Sequence, residues 1–276
     1  MIHAASRQAL ADVREGLNGV LEGLASQGGT AERDLASELY ATADLLAHQP
    51  RLRRTLADPS TDSATRGELA RSLLRGRIGE PAVDLVVSAV TSRWSSAWDL
   101  TDSLEILADD TLLASAQQQG RLDTVEDELF RFERILETAS GLTSALDEAV
   151  VPAERRVALL HSVLDGKADS ITIELLAHAV STGRKRSIQL AIDDLLEASA
   201  VRRDRSVARV VSASELSQEQ TERLGSILTS IYGRPINVRT AVDPSIKGGL
   251  VVRVGGEVID GTVATRLAAA RSALAG

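Results

Sequence analysis

Sliding the sequence against itself by ninety residues, without a gap, brings Glu38 onto Glu128, Leu39 onto Leu129, Leu46 onto Leu136, Leu52 onto Leu142 and Leu56 onto Leu146. The register continues through Arg66 and Arg156, Leu69 and Leu159, Ser72 and Ser162, Leu74 and Leu164, and Gly76 and Gly166. Leu85 and Leu175, Ala89 and Ala179, Val90 and Val180, and Leu100 and Leu190 bring the identities between positions 38 and 100 to fourteen. Tyr40 over Phe130 and Asp84 over Glu174 are conservative pairs between them. Two helical segments sharing a leucine period could match at Leu alone; Arg66, Ser72 and Gly76 do not follow from a period. The match therefore reads as a duplication, and any fold must solve the same packing problem twice. It also reaches backwards, with Ser6, Leu10, Asp12, Glu15 and Leu17 over Ser96, Leu100, Asp102, Glu105 and Leu107. A helix over about 94–116 thus aligns with the first helix while standing last in the first repeat. It is expected to serve both repeats and to join them without a flexible linker.

The repeated unit is helical. Ala9, Leu10, Val13, Leu17, Val20, Leu21 and Leu24 recur at the spacing of one helix face, and Gln27–Thr30 interrupts them. Further helices are predicted over about 31–48, 50–56, 63–75, 80–92 and 94–116, with Asp58-Pro59-Ser60 as a turn and Pro81 in a first helical turn. Short connections of this kind join antiparallel neighbours in a bundle. Aromatic residues are only 2% of the chain, so the core must be built from Leu, Val, Ile and Ala. The second repeat closes on a helix over about 184–204, basic at both ends through Arg184-Lys185-Arg186 and Arg202-Arg203-Asp204-Arg205. This is either a solvated face or a contact patch for an acidic partner.

After residue 206 the period changes. Val207–Val211 alternates as a strand, Ser217-Gln218-Glu219-Gln220 is a capping box opening a helix to about Tyr232, and Ile236–Val242 is a second strand. Asp243-Pro244 turns the chain, and Leu250–Val254 and Glu257–Ile259 form a hairpin around Gly255-Gly256. Asp260-Gly261 ends it, and Thr262–Ala275 reads as a closing amphipathic helix. The fold class is mainly α with a small α+β C-terminal domain. Its expected parts are helical repeats at 1–110 and 111–205 and a β-hairpin-containing domain at 206–276.

The residues offer little chemistry. The four histidines, His3, His48, His161 and His178, share no metal-ligand spacing, and Cys is absent. Gly248-Gly249 and Gly255-Gly256 satisfy neither the P-loop nor the dinucleotide pattern and read as turns at the two ends of one strand. The Asp pairs at 109–110 and 193–194 read as helix-surface charges. A formal charge of −8 argues against general nucleic-acid binding. No apolar run approaches the length of a membrane span, and the N-terminus lacks the pattern of a signal peptide. A non-enzymatic protein without cofactor or metal is expected.

The C-terminal signature is similar to that of the delta subunit of F-type ATP synthases, the oligomycin-sensitivity-conferring protein family. The resemblance rests on Asp243, Gly248, Gly249, Val252, Gly255, Ile259, Asp260, Gly261 and Leu267, on the strand Ala208–Ala213, and on Gly183-Arg184 before a long helix. It covers about 110–276, with the earlier residues as an extra helical repeat of the kind found in larger actinobacterial members. It implies a stator subunit at the cytoplasmic face of the bacterial plasma membrane. The helical domain would bind N-terminal helices of the alpha subunits, and the C-terminal part would bind the C-terminal region of subunit b. The reading of another class is a free-standing helical-repeat adaptor for amphipathic helices of soluble partners; a nucleotide-dependent enzyme working through Gly248-Gly249 is a third. The repeats are expected to differ at their surfaces, with Arg51, Arg53 and Arg54 against Gly141, Thr143 and Ser144, and Trp94 and Trp98 against Arg184 and Ile188.

Overall fold

A computed structural model describes residues 6–24, 30–182, 187–205, 207–232, 236–243, 246, 248–254, 257–263 and 265. The chain divides into two compact units, Met1–Leu196 and Glu197–Gly276. The helical elements are α1 (Ser6–Leu24), α2 (Thr30–His48), α3 (Pro50–Ala57), α4 (Ser63–Leu74), α5 (Glu80–Thr91) and α6 (Ala97–Gln118). They continue with α7 (Leu122–Thr138), α8 (Ser140–Asp147), α9 (Ala153–Leu164), α10 (Ser170–Thr182) and α11 (Ile188–Arg205), through which the division between units passes. No helix among the described residues is long and apolar enough to cross a membrane.

The duplication is visible atom by atom. Gly76 and Gly166 both adopt φ +73°, a left-handed conformation that ends α4 and α9 and that a side chain would disfavour. Glu38 accepts a hydrogen bond from the Gly79 amide at 2.8 Å and Glu128 one from the Asp169 amide at 2.9 Å, so a carboxylate on one helix caps the start of another in each repeat. Arg66 and Arg156 are buried, and each donates through Nη1 at 3.2 Å to the carbonyl of its own repeat's short helix, Leu56 O and Leu146 O. Arg66 also reaches Val90 O at 2.7 Å, so one guanidinium satisfies carbonyls at the ends of α3 and α5.

Arg53 departs from the expectation of a surface difference between repeats. It is buried, donates to Leu46 O at 2.8 Å and Ala47 O at 2.9 Å, and lies over the Trp98 ring at 3.5 Å. Its counterpart Thr143 donates to the equivalent carbonyl, Leu136 O, at 2.8 Å. Both close the last turn of the preceding helix with different chemistry. Trp94 is also buried, with its indole N–H donated to Ala89 O at 2.7 Å.

α6 is buried along most of its length, from Asp99 and Leu100 to Ala116 and Gln117. It packs against α1, α2, α3 and α5 on the first repeat and against α7 and α10 on the second. α1 packs against α2 and α5, so α6 stands toward α7 and α10 as α1 does toward its own repeat. Two of its hydroxyls turn back on the helix: Ser103 donates to Leu100 O and Thr111 to Leu107 O, each at 2.7 Å.

The second unit holds β1 (Val207–Ser212), α12 (Gln218–Tyr232), β2 (Asn237–Val242), β3 (Leu250–Val254) and β4 (Glu257–Asp260) in a sheet of order β2-β1-β3-β4. β1 and β2 are parallel and need a crossover, which α12 supplies; the other pairs are antiparallel. The capping box forms reciprocally, Gln220 N to Ser217 Oγ at 3.2 Å and Ser217 N to Gln220 Oε1 at 2.9 Å. Ala208, Val210, Leu228, Ile236, Val252 and Val254 make the core between α12 and one face of the sheet.

Candidate functional site

The signature residues of the C-terminal unit meet at one end of β3 and β4. Gly248 and Gly249 lead into β3 with φ +109° and +84°. A Cβ on Gly249 would lie 2.8 Å from Thr262 Cα and closer still to the Gly261 carbonyl oxygen. Two chain segments touch backbone to backbone there, and only glycine permits both the approach and the dihedral. Gly261 N donates to Leu250 O at 2.9 Å and Val263 N to Gly248 O at 3.0 Å, which ties the two segments together. Asp260 accepts from Thr262 N at 2.9 Å and from Thr265 Oγ1 at 2.8 Å, turning the chain out of β4. The Thr262 amide bond, with the hydroxyls after it, holds the Asp260 carboxyl below its ordinary value. Ile259 stands opposite Val252, and Asp243 N donates to Ser212 O at 2.9 Å, continuing the β1–β2 end.

Asp243, Gly248, Gly249, Ile259, Asp260 and Gly261 thus belong to one sheet end, and their contacts are those of a backbone clasp. Gly255 and its turn partner Gly256 lie outside the described residues, as do Gly183, Arg184, Leu267 and most of the expected closing helix. Among the described residues no group of three His, Cys, Asp or Glu side chains is placed to hold a metal ion. His48 lies against Asp44 within its own helix, and His161 against Asp165 at the C-cap of its helix.

A second set of polar groups lies at the joint between repeats. The Tyr40 ring stacks on His178 with centroids 3.5 Å apart, and its hydroxyl donates to Asp109 at 2.6 Å. Burial first, and then the Asp109 charge, push the Tyr40 phenol well above its usual pKa. Arg33 reaches Glu174 at 3.3 Å and also Ser170, and Arg121 pairs with Asp169 at 2.5 Å. Asp110 is buried and ion-paired with Arg14 at 2.7 Å. The reading of 109–110 as a surface pair is therefore corrected: both carboxylates face partners because α6 has helices on all sides. Glu38 and Glu128, which cap helices across the bundle, are functional to the fold and went unassigned by motif, although their identity in the repeat carried the signal. These arrangements position and brace; none aligns a nucleophile with a base.

The ATP synthase delta (OSCP) subunit family model matches residues 110–274. The ATP synthase subunit delta of Streptomyces griseus is 43% identical over 275 residues, covering 100% of both chains. That of Salinispora arenicola is 44% identical over 240 residues, covering 87% of this chain and 88% of its own. That of Beutenbergia cavernae is 42% identical over 255 residues, with 92% and 94% covered. The similarity to the relatives includes the first repeat, which the family model does not reach, so both repeats are shared with them. A duplicated helical unit and a glycine-clasped C-terminal sheet, matched by a family model and by relatives along the whole length, place this chain in the ATP synthase delta (OSCP) subunit family.

Proposed function

We propose that this chain is a non-catalytic stator subunit of a proton-translocating F-type ATP synthase, linking the alpha/beta head to subunit b and resisting rotor torque. The observation that carries the reading is the identity to ATP synthase delta subunits across 100% of the chain. In this reading it sits peripherally at the cytoplasmic face of the plasma membrane. Residues 1–110 and 111–205 act as two helical repeats and 206–276 as the part that meets the C-terminal region of subunit b. Repeat two, which carries Gly183-Arg184, takes an alpha-subunit N-terminal helix. An open groove of about 410 Å³ between α8 and α9 supports different surface roles for the repeats. It is lined by Gly141, Ser144 and Ala145, where repeat one has Arg51, Arg54 and Thr55.

The test is reconstitution. Membranes stripped of this subunit should regain coupling between ATP hydrolysis and proton pumping when the full chain is added back, while the chain alone hydrolyses no ATP. A tagged chain should recover alpha, beta and b subunits from solubilised membranes. Recovery of unrelated soluble proteins, with a synthase complete in its absence, would overturn the reading in favour of an adaptor.

A further inference from the structure

Arg51, Arg54 and Trp98 set repeat one apart from repeat two, and the packing of the helices leaves them at the surface. Arg51 and Arg54 are exposed on α3, and Arg93 is exposed ahead of α6. Among the described residues none of these three arginines has an ion-pair partner; Arg54 Nε donates to Pro50 O at 3.2 Å within its own helix. Trp98 stands in the first turn of α6 and is 43% exposed. Arg53, between Arg51 and Arg54 in sequence, is buried, bonded to Leu46 O and Ala47 O, and lies over the Trp98 ring at 3.5 Å. That contact fixes the indole beside the helix that carries the exposed cations. At the corresponding positions repeat two has Gly141, Ser144, Gly183 and Ile188, and Ile188 is 3% exposed. The matching family model begins at residue 110, so the patch belongs to the repeat that the model does not reach.

We propose that this corner of repeat one, between α3 and the start of α6, binds an acidic segment of another protein, with one aromatic side chain set between carboxylates. The charge argument comes first. The chain has a formal charge of −8, yet leaves Arg51, Arg54 and Arg93 without a carboxylate of its own, so the counter-charge is supplied from outside. Arginine grips carboxylates through paired hydrogen bonds, and its planar head does so at a smaller ordering cost than a lysine. The exposed indole then accepts the aromatic side chain. Because Arg53 is tied to two carbonyls and stacked on the ring, the indole is held before a partner arrives, which lowers the cost of binding. Trp and Arg are also the residue types that most often carry the energy of an interface. A membrane surface fits less well, since adsorption scales with apolar area and this corner offers a single indole. The inference does not depend on the stalk reading, because the partner is defined by its chemistry.

The experiment uses the full chain and three labelled peptides followed by anisotropy: one Phe flanked by Glu on both sides, the same peptide with Lys for Glu, and the Glu peptide with Ala for Phe. The Glu/Phe peptide binds, more weakly as salt is added, and the Lys peptide does not. The Ala peptide binds at least fivefold more weakly. Arg51→Glu with Arg54→Glu lowers Glu/Phe affinity at least tenfold, and Arg51→Gln with Arg54→Gln lowers it too, which decides the matter if the Glu pair melts early. Trp98→Leu removes the preference for Phe over Ala. Arg77→Glu with Lys167→Glu makes the same change of charge at exposed positions elsewhere and leaves the affinity within twofold. Equal binding of the Glu and Lys peptides, undiminished binding by the folded Arg51/Arg54 variants, or an equal loss in the Arg77/Lys167 control overturns the proposal. So does adsorption to phosphatidylglycerol vesicles that the Glu/Phe peptide fails to displace.

Discussion

Arg66 and Arg156 allow the coupling between the repeats to be measured. Arg66→Met keeps much of the side chain's volume while removing a buried charged donor to Val90 O at 2.7 Å and Leu56 O at 3.2 Å. Hydrogen bonds from a charged donor contribute about 1.5–3 kcal/mol each, and the abandoned carbonyls stay buried, so a loss of at least ~3 kcal/mol is expected. With a urea slope of about 2.5 kcal/mol per M, suited to a unit of this size, the midpoint falls by ~1.2 M. Arg156→Met removes the bond to Leu146 O and is expected to lower it by roughly 0.6 M or more. Trp94 precedes α6 and Trp98 stands in the first turn of α6 against Arg53 of α3, so their fluorescence reports the repeat-one end of the shared helix while far-UV dichroism reports every helix. Because α6 is packed by both repeats, Arg156→Met should move the fluorescence midpoint as far as the dichroism midpoint. A fluorescence transition unmoved by Arg156→Met, with dichroism split in two, would refute the idea that α6 makes the repeats one cooperative body.

Three further outcomes follow from the contacts. Gly249→Ala should destabilise the C-terminal unit by about 2–4 kcal/mol through its φ of +84° and the approach of Thr262, seen as a separate early melting step. Asp260 has a depressed folded pKa, so its contribution is complete above about 3.9 and is lost as pH falls through the folded value. Asp260→Asn should flatten the acid side of the melting profile, and an unchanged slope would count against the cap. Tyr40 has a raised pKa, so its contribution is complete below about 10 and is lost as pH climbs toward the folded value. Its phenolate absorbance, isolated by difference against Tyr40→Phe, should appear only on alkaline unfolding.

The helical spans were legible because a core of aliphatic residues writes a plain 3.6 period, and the repeat fixed their order. The capping box was legible for a different reason: its two residues satisfy each other locally, and no tertiary information is needed. Arg53, Asp109 and Asp110 were misread as surface because residue type alone suggests exposure, and Trp94 because the repeats differ there. What covers them is a helix distant in sequence, and nothing near them in the chain announces it. The strand spans and their hairpin could be read from alternation, but the parallel pairing of β1 with β2 could not, since periodicity does not state a neighbour. Gly248 and Gly249 were seen as turn glycines, while their contact with Gly261 and Thr262 emerges only when β3 and β4 are paired.

The helix shared by the repeats carries an arithmetic consequence. Two self-contained helical repeats would need two helices at their join, the last of one and the first of the next, whereas α6 alone stands there. The duplicated segment is therefore one helix shorter than the body it builds, as fence panels need one post more than their number. A chain grown this way cannot insert a hinge at the join without depriving a bundle of a wall. Lengthening it by another segment would recruit α11 as the next common post, and excising the first segment must cut at α5 rather than through α6. The join is thus the least divisible place in the helical unit, although a linear reading of two tandem domains would put a boundary there.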